Sequence, residues 1–229
     1  MRDIYTFTWI NEYVHLAKTL PEHIFSCHGN YPTDEEVALL QQRFAQKKLI
    51  VEIGAGSGQH LLEQARRNPT SYFIGIEVRY KRAFKLAEKA HKRGIDNLFV
   101  IRGEANLVSQ VFKEASLSGI FINFPDPWDR PKWKKNRLTA PSYLDQYALL
   151  LMDNGFLQLK TDHEEFHTST AQLLALHPSY ALTRTERDLY QTDLKNHNIP
   201  TEFEQLFLSK NQPIYFLEAI RSVRSTVQN

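Results

Sequence analysis

The chain has 229 residues, a hydrophobic share of 42% and a formal net charge of +2. Its length fits one α/β domain with decorations, and its apolar share suffices for a buried core. The nearly balanced charge gives no overall field that would attract nucleic acid, so local clusters of cations must carry any such signal. The single cysteine, Cys27, excludes an intramolecular disulfide and a cysteine-based zinc cluster, and it favours a cytoplasmic location.

Residues 1–33 show no regular apolar pattern, and we expect an irregular N-terminal extension there. The stretch 1–20 lacks the uninterrupted apolar core of a signal peptide, and the chain has no run of about 18 apolar residues that would predict a membrane span. We expect residues 34–229 to form a single domain and the protein to have no membrane partner.

Short apolar runs alternate with helical patterns from residue 34 onward. Thr33 and Glu36 form a capping-box pattern before the first helix. Five runs are typical of buried strands: "LIVEI", "SYFIGIEV", "NLFVIRG", "GIFINF" and "FLQLKTD". A helix is predicted over 141–155, and the strand-like runs "YALTRTE" and "PIYFLEAI" come last. The alternation predicts an α/β fold with a doubly wound, mostly parallel sheet and an antiparallel edge strand.

Ligands of doubly wound folds bind at the carboxyl ends of the strands. Glu52 lies near the end of the first strand, and Gly54, Gly56 and Gly58 form the turn that follows. These glycines should let the backbone approach a ligand closely. Their spacing is G-x-G-x-G, whereas dinucleotide-binding turns use G-x-G-x-x-G. The Glu52 carboxylate would repel a pyrophosphate, but it could accept hydrogen bonds from the amino end of an amino-acid ligand.

Two further acids follow the next strands. Glu77 ends the second strand, where such folds place a carboxylate on the two hydroxyls of a ribose. Glu104 follows the third strand, where a carboxylate could accept from the amine of an adenine. A ligand that joins adenosine to an amino acid without phosphates is S-adenosylmethionine, so we expect this cofactor. The alternative is that these acids are ordinary polar residues at strand ends.

The loop over residues 124–138 combines prolines, tryptophans and dense positive charge. Pro125 and Pro127 restrict the backbone on both sides of Asp126, which suits a carboxylate held in an active site. Trp128 could stack on a base or pack against the domain. The cations would meet nucleic-acid phosphates, although charge runs are also typical of solvated loops. They are Arg130, Lys132, Lys134, Lys135 and Arg137.

Five segments together resemble the bacterial tRNA (guanine-N7)-methyltransferase family, in order from about Leu49 to Leu217: "VEIGAGSG", "GIEV", "INFPDPWDRPKWKKNRL", "FLQLKTD" and "TEFE". The "PDPW" loop with its basic continuation is the most specific of them. The resemblance implies a cytoplasmic, Rossmann-like enzyme that transfers a methyl group from S-adenosylmethionine to N7 of a guanine in the variable loop of tRNA. It implies tRNA and not DNA as the partner, and a monomer or homodimer.

The resemblance also implies roles for individual residues. The cofactor contacts of the family match Glu52, Glu77, Glu104 and Asp126, and Asp126 also matches its proposed active-site residue. The family's substrate-binding positions match Arg130, Asp162 and the motif from Thr201 to Glu204. We add Lys132, Lys135 and Arg137 as candidate phosphate contacts. The chain departs from the usual family pattern at Asp129, Pro131 and Trp133, which bears on the choice of RNA.

The expected chemistry needs little more than positioning. N7 of a neutral guanine carries a lone pair, so no base has to expose the nucleophile, and alignment of the reactants supplies most of the catalysis. Asp126 would stabilise the positive charge that develops on the purine and could accept from guanine N1–H. Asp162 and Glu204 are further candidates, although Thr201 and Glu204 also form a capping box that alone explains their spacing.

Several other interpretations stay open on the sequence alone. A methyltransferase of the same fold could act on another RNA, a small molecule or a protein, and the chain could be a non-catalytic RNA-binding relative. The glycine spacing disfavours a dehydrogenase. His163, Glu164 and His167 match the H-E-x-x-H string of zinc proteases, but they follow a predicted strand of the sheet and lack a third ligand, so we expect no metal.

Overall fold

The computed structural model describes residues 11–26 and 32–222 of the chain. Its helices are α1 Glu12–Ala17, α2 Asp34–Phe44, α3 Gln59–Arg67, α4 Tyr80–Lys92, α5 Val108–Val111, α6 Pro141–Leu150, α7 Glu164–Leu176 and α8 Glu202–Leu208. Its strands are β1 Ile24–Ser26, β2 Leu49–Ile53, β3 Tyr72–Glu77, β4 Leu98–Arg102, β5 Leu117–Asn123, β6 Leu151–Thr161, β7 Tyr180–Glu186 and β8 Tyr215–Arg221. Short 3₁₀ segments cover Ala105–Leu107, Pro131–Asn136, Leu189–Gln191 and Asp193–Asn196. Cys27 lies outside the described residues.

All eight strands form one sheet in the order β1-β4-β3-β2-β5-β6-β8-β7. The strands from β1 to β6 pair in parallel, and β8 runs antiparallel to both of its neighbours. The predicted mostly parallel, doubly wound sheet with antiparallel pairing toward one edge is therefore confirmed. The chain moves outward from β2 to β4 and then returns to place β5 on the other side of β2. This reversal creates a crevice at the carboxyl ends of β2 and β5, where such folds bind ligands.

The N-terminal part contains structure that the sequence analysis missed. Among residues 11–26, the helix α1 and the strand β1 are formed, and Ile24 of β1 pairs with Val100 of β4. The sequence analysis predicted an irregular extension there. It missed β1 because three residues are too few to show the alternation of a strand. The division of the chain at residue 34 stays a prediction.

The starts of α2 and α8 follow capping boxes in the sequence, but one predicted helix end is wrong. The capping box of α2 is formed by Thr33 and Glu36, as predicted. The helix predicted to run to residue 155 ends at Leu150 instead, and β6 begins at once with Leu151 paired to Leu117. Asn154 has a φ of 63°, which an α-helix cannot contain. The apolar run that suggested a longer helix belongs partly to the strand.

The core lies on both faces of the sheet. Buried residues of α3 and α4 pack with Ile50 and Phe73 on one face. Residues of α2, α5, α6 and α7 pack with Val51 and Ile74, the sequence neighbours of that pair, on the other face. This alternation follows from the two-residue period of a strand, and it leaves the strand ends free for a site. Within residues 11–26 and 32–222, no helix has the length and apolarity needed to cross a bilayer.

Candidate active site

A cavity of about 620 Å³ opens at the carboxyl ends of β2, β3 and β5. Glu52, the glycine turn 54–58, Glu77 and Asp126 all line it, so residues from three separate predicted segments meet there. Thr201 from the start of α8 lines the same cavity. Glu104 is exposed after β4 and does not line it, although its neighbours Gly103 and Ala105 do. Asp162 follows β6, is half-exposed and also lies outside the lining.

The Glu52 carboxylate is buried and held by two side chains that the sequence analysis did not identify. Its Oε2 atom lies 2.9 Å from Nδ1 of His60, and its Oε1 atom accepts from the Asn123 amide at 2.8 Å. The Gln64 amide lies 3.2 Å from Nε2 of His60. We assign the His60 proton to Nδ1, because this ring nitrogen faces a carboxylate while Nε2 can then accept from Gln64. The network fixes the direction of the carboxylate under the cavity.

Glu77 links the glycine turn to the end of β3. Its Oε2 accepts from the backbone N–H of Gly56 at 2.9 Å, and its Oε1 accepts from the backbone N–H of Arg79 at 2.8 Å. Each oxygen keeps one lone pair for a ligand. Gly54 and Gly56 have positive φ angles of 79° and 57°, and a Cβ atom on either would meet no side chain within 4 Å. These two glycines leave room at the cavity.

Gly58 has a different role from the two glycines before it. A Cβ atom on Gly58 would lie 2.0 Å from Cδ1 of Leu86, a fully buried side chain of α4. The third glycine is therefore required for the close packing of the turn on α4. The cofactor-binding role predicted for Gly58 stays untested, but its packing role needs no ligand.

Asp126 lies in a turn between two residues with left-handed backbone angles. Phe124 has a φ of 49° and Trp128 a φ of 47°, conformations that are costly for aromatic residues. The Phe124 N–H donates to the carbonyl of Lys160 at 2.8 Å, and its ring stacks on Phe207 of α8. Asp126 itself is exposed at the cavity, and its side chain makes no hydrogen bond to a described residue. The surrounding backbone alone sets its place.

The basic residues of the same loop fall into two groups. Arg130, Lys132 and Lys135 are exposed. The Arg130 guanidinium lies 4.6 Å from the ring centre of Trp133, which meets Trp128 edge-to-face at 6.0 Å. These groups form a cationic and aromatic surface next to the cavity.

Arg137 belongs to the second group, because it is only 5% exposed and bonds within the protein. Thr201 and Glu204 also point inward. They close the capping box of α8, where Glu204 is fully buried beside Lys160. These three residues were predicted to bind substrate, but of the three only Thr201 lines the cavity.

The histidines of the H-E-x-x-H string do not share a site. Nδ1 of His163 accepts from the N–H of Phe166, and Nε2 lies 2.9 Å from Asp129. Nε2 of His167 lies 3.0 Å from the carbonyl of Phe216. Ligand atoms of Asp129, His163 and Glu165 do lie within 4.8 Å of one another. However, Glu165 already pairs with two cations of the basic loop, which would repel a metal ion.

Comparison with known proteins identifies the family. Residues 46–217 match a family model described as "Putative methyltransferase". The chain is 33% identical to the tRNA (guanine-N(7)-)-methyltransferase of Latilactobacillus sakei, over 78% of this chain and 84% of that protein. The chain belongs to the tRNA (guanine-N7)-methyltransferase family. The family member from Mycoplasma pneumoniae is 36% identical, over 71% of this chain and 79% of that protein.

The chain also matches part of a longer protein. The bifunctional glycosyltransferase/methyltransferase of Fusobacterium nucleatum is 32% identical over 91% of this chain, which spans 32% of that protein. Among solved structures, the 16S rRNA methyltransferase KamB superposes with a TM-score of 0.62 at 15% identity, over 83% of this chain and 94% of that one. A 30S ribosomal A1408 methyltransferase from an uncultured bacterium gives a TM-score of 0.59 at 22% identity, over 84% and 97%. These two likenesses concern the fold alone.

Proposed function

We propose that this protein transfers a methyl group from S-adenosylmethionine to N7 of a guanine in tRNA, and that the guanine lies in the variable loop. The observation that carries the proposal is the meeting of Glu52, the glycine turn, Glu77 and Asp126 around one cavity. Family membership and the names of the relatives support the same reaction. The proposal includes a cytoplasmic location, tRNA and not DNA as the partner, and a monomer or homodimer.

The residues around the cavity fit an adenosine joined to an amino acid. The buried Glu52 carboxylate, aimed by His60 and Asn123, suits an ammonium group, because a buried anion favours a cationic partner. Glu77 keeps one lone pair on each oxygen for a pair of ribose hydroxyls. The room beside Gly54 and Gly56 allows a ligand to approach the backbone.

Glu104 stays a proposed contact to adenine through its position after β4. When bound, S-adenosylmethionine supplies a methyl group on a positively charged sulfur.

The contribution of Asp126 is electrostatic. A fixed carboxylate at the cavity favours the positive charge that a purine gains on N7 methylation. The same carboxylate can accept from N1–H and the 2-amino group of guanine, and adenine lacks both donors. Asp162 is proposed as a second contact to the base from the end of β6.

The exposed cations of the basic loop are proposed to contact the tRNA backbone. Arg130, Lys132 and Lys135 would neutralise phosphates, while Trp128 or Trp133 would stack on an unpaired base. Thr201 keeps a proposed contact to the base because it lines the cavity. Arg137 and Glu204 are not carried forward as substrate contacts, because their charged groups are buried against internal partners.

The test uses purified protein, tritiated S-adenosylmethionine and unmodified tRNA, with aniline cleavage or mass spectrometry to locate N7-methylguanosine. We expect label in the variable loop. Asp126→Asn should lower kcat by about 10²-fold, the order expected for a lost electrostatic contact. The matched control is Asp96→Asn, which changes an exposed aspartate at the opposite, amino end of β4. Full turnover by Asp126→Asn would remove Asp126 from the mechanism.

A second candidate function is methylation of another RNA. The departures from the family pattern at Asp129, Pro131 and Trp133 favour it, because all three lie in the proposed RNA-binding loop. The same assay separates the two candidates. Cofactor binding without transfer to tRNA, followed by transfer to ribosomal or total RNA, would support the second one.

A further inference from the structure

Arg137 differs from the other cations of the basic loop in being buried. Only 5% of its surface is exposed, whereas Arg130, Lys132 and Lys135 are exposed to solvent. A phosphate contact needs an accessible cation, so the structure gives Arg137 another task. Its partners lie on two parts of the chain, the loop over 124–138 and the helix α7.

The guanidinium of Arg137 makes contacts in several fixed directions. Nε donates to the carbonyl of Pro127 at 2.6 Å, and Nη2 donates to Oε2 of Glu165 at 2.5 Å. Nη1 donates to Oγ of Ser169 at 3.0 Å. The guanidinium carbon lies 5.0 Å from the ring centre of Phe166. A planar group with five donors suits such a set, and the single ammonium of a lysine cannot reproduce it.

The carbonyl that Arg137 holds lies between two residues of the loop that line the cavity. Pro127 is flanked by Asp126 and Trp128, both of which line the cavity. The Asp126 side chain makes no hydrogen bond to a described residue, and Trp128 has a left-handed backbone angle. The placement of both side chains therefore depends on how firmly the backbone at residue 127 is held.

We propose that Arg137 and Glu165 are positioning residues that fix Pro127 and, through it, Asp126 and Trp128. This inference rests on the proposed function for its effect on turnover, but its structural part does not. Lys134 adds a second cation to the anchor, with its Nζ 2.6 Å from Oε1 of Glu165. Hydrogen bonds from Arg137 and Lys134 lower the pKa of Glu165 to about 2, so the anchor stays ionised at any assay pH near neutrality.

The alternative, that Arg137 contacts a phosphate, gives opposite results for two variants. Each lost phosphate contact lowers the slope of log Kd against log salt concentration by about 1. A phosphate-binding Arg137 would show this change in Arg137→Met. Removing the negative charge of Glu165 next to a phosphate would tighten tRNA binding, whereas removing it from an anchor would not.

The experiment compares Arg137→Met and Glu165→Gln with Lys135→Met, which tests an exposed cation of the same loop. Lys113→Met, on an exposed lysine before β5, is the neutral control. We expect Arg137→Met and Glu165→Gln to lower kcat at least about tenfold at saturating tRNA, with the wild-type salt slope of tRNA binding. Lys135→Met should lower the slope by about 1.

Hydrogen exchange keeps the inference testable without any turnover. The hydrogen-bonded loop amides of Phe124, Trp133 and Arg137 should exchange at least about tenfold faster in Glu165→Gln than in wild type, while those of β2 and β3 keep their rates. If Arg137→Met does not fold, Glu165→Gln and Ser169→Ala decide the matter. Unchanged exchange in the loop, a reduced salt slope in Arg137→Met or tighter tRNA binding by Glu165→Gln would overturn the proposal. An inactive wild-type protein would count against the proposed function alone.

Discussion

The ammonium of Lys160 and the carboxylate of Glu204 lie 2.7 Å apart in the protein interior, where the two side chains are 6% and 0% exposed. The other two donors of Lys160 reach the Asn198 side chain at 3.1 Å and the Ile199 carbonyl at 3.0 Å. Glu204 also accepts from the hydroxyl of Tyr190 at 2.9 Å. The pair joins the end of β6 to the start of α8, the helix that borders the cavity.

The first prediction concerns the stability of this pair. Lys160→Met should lower the free energy of unfolding by about 3–5 kcal/mol, because it leaves the Glu204 carboxylate buried without a cation. Burial already lowers the pKa of Lys160, and the nearby Glu204 raises it, which indicates that the pair is interdependent. Urea unfolding measures the loss, with Lys195→Met on an exposed lysine as the control. Adding Glu204→Leu to Lys160→Met should recover part of the lost stability. A Lys160→Met variant as stable as wild type would contradict the prediction.

The second prediction separates the glycines of the turn. Gly58→Ala should destabilise the fold by about 2–4 kcal/mol, because it combines an unfavourable positive φ with a collision against the buried Leu86. Gly54→Ala carries only the backbone cost of about 1–2 kcal/mol, since a Cβ atom there meets open space.

The two glycine variants should differ in a second property. Gly54→Ala should weaken binding of S-adenosylmethionine, because its methyl group would occupy room beside the cavity. Thermal unfolding and calorimetric titration of the cofactor measure the two effects. Equal stability losses in the two variants, or wild-type binding of S-adenosylmethionine to Gly54→Ala, would contradict this division of roles between Gly54 and Gly58.

The third prediction concerns pH. Burial lowers the pKa of His167 below its usual value of 6.5, although the bond to the Phe216 carbonyl opposes this shift. The folded protein therefore favours the neutral ring. The resulting stability is fully present above pH 6.5 and is lost as pH falls through the lower folded pKa.

Urea unfolding between pH 7.5 and 5.5 measures this contribution. The free energy of unfolding should fall more steeply in wild type than in His167→Gln, whose amide can still donate to Phe216. The exposed His197 supplies the control variant His197→Gln, which should follow wild type. Parallel curves for wild type and His167→Gln would refute the prediction.

The fourth prediction concerns the exposed cations of the loop. Arg130→Met, Lys132→Met and Lys135→Met should each weaken tRNA binding and lower its salt slope by about 1, if each residue contacts one phosphate. Arg130→Met should have the largest effect, because its guanidinium lies 4.6 Å from the ring centre of Trp133, closer than the Lys132 ammonium at 5.5 Å. Fluorescence titration over a range of salt concentrations gives the slopes. An unchanged slope in the triple variant would place the RNA on another surface.

Residues close in sequence were the ones that could be predicted. The run into Gly54 and the acid at Glu77 each lie beside their strand, so a local pattern sufficed to place them at one edge. Asn123 could not be found this way as a partner of Glu52, because 71 residues separate the two. Likewise, nothing in the run of cations separates the buried Arg137 from the exposed Lys135. The burial of Arg137 depends on α7, which approaches the loop only in the folded chain.

The position of β8 between β6 and β7 affects the order in which the protein can be completed. β6, α7 and β7 are synthesised before residues 215–221, and among the described strands β7 pairs with β8 alone. The ion pair of Lys160 likewise forms only after α8, which carries Glu204, has been synthesised. The part of the sheet from β2 to β5 can assemble early. The side of the cavity that α8 borders is completed only when β8 inserts between β6 and β7. A released chain truncated before residue 215 should therefore be open to proteases over β7 while β2 to β5 are protected.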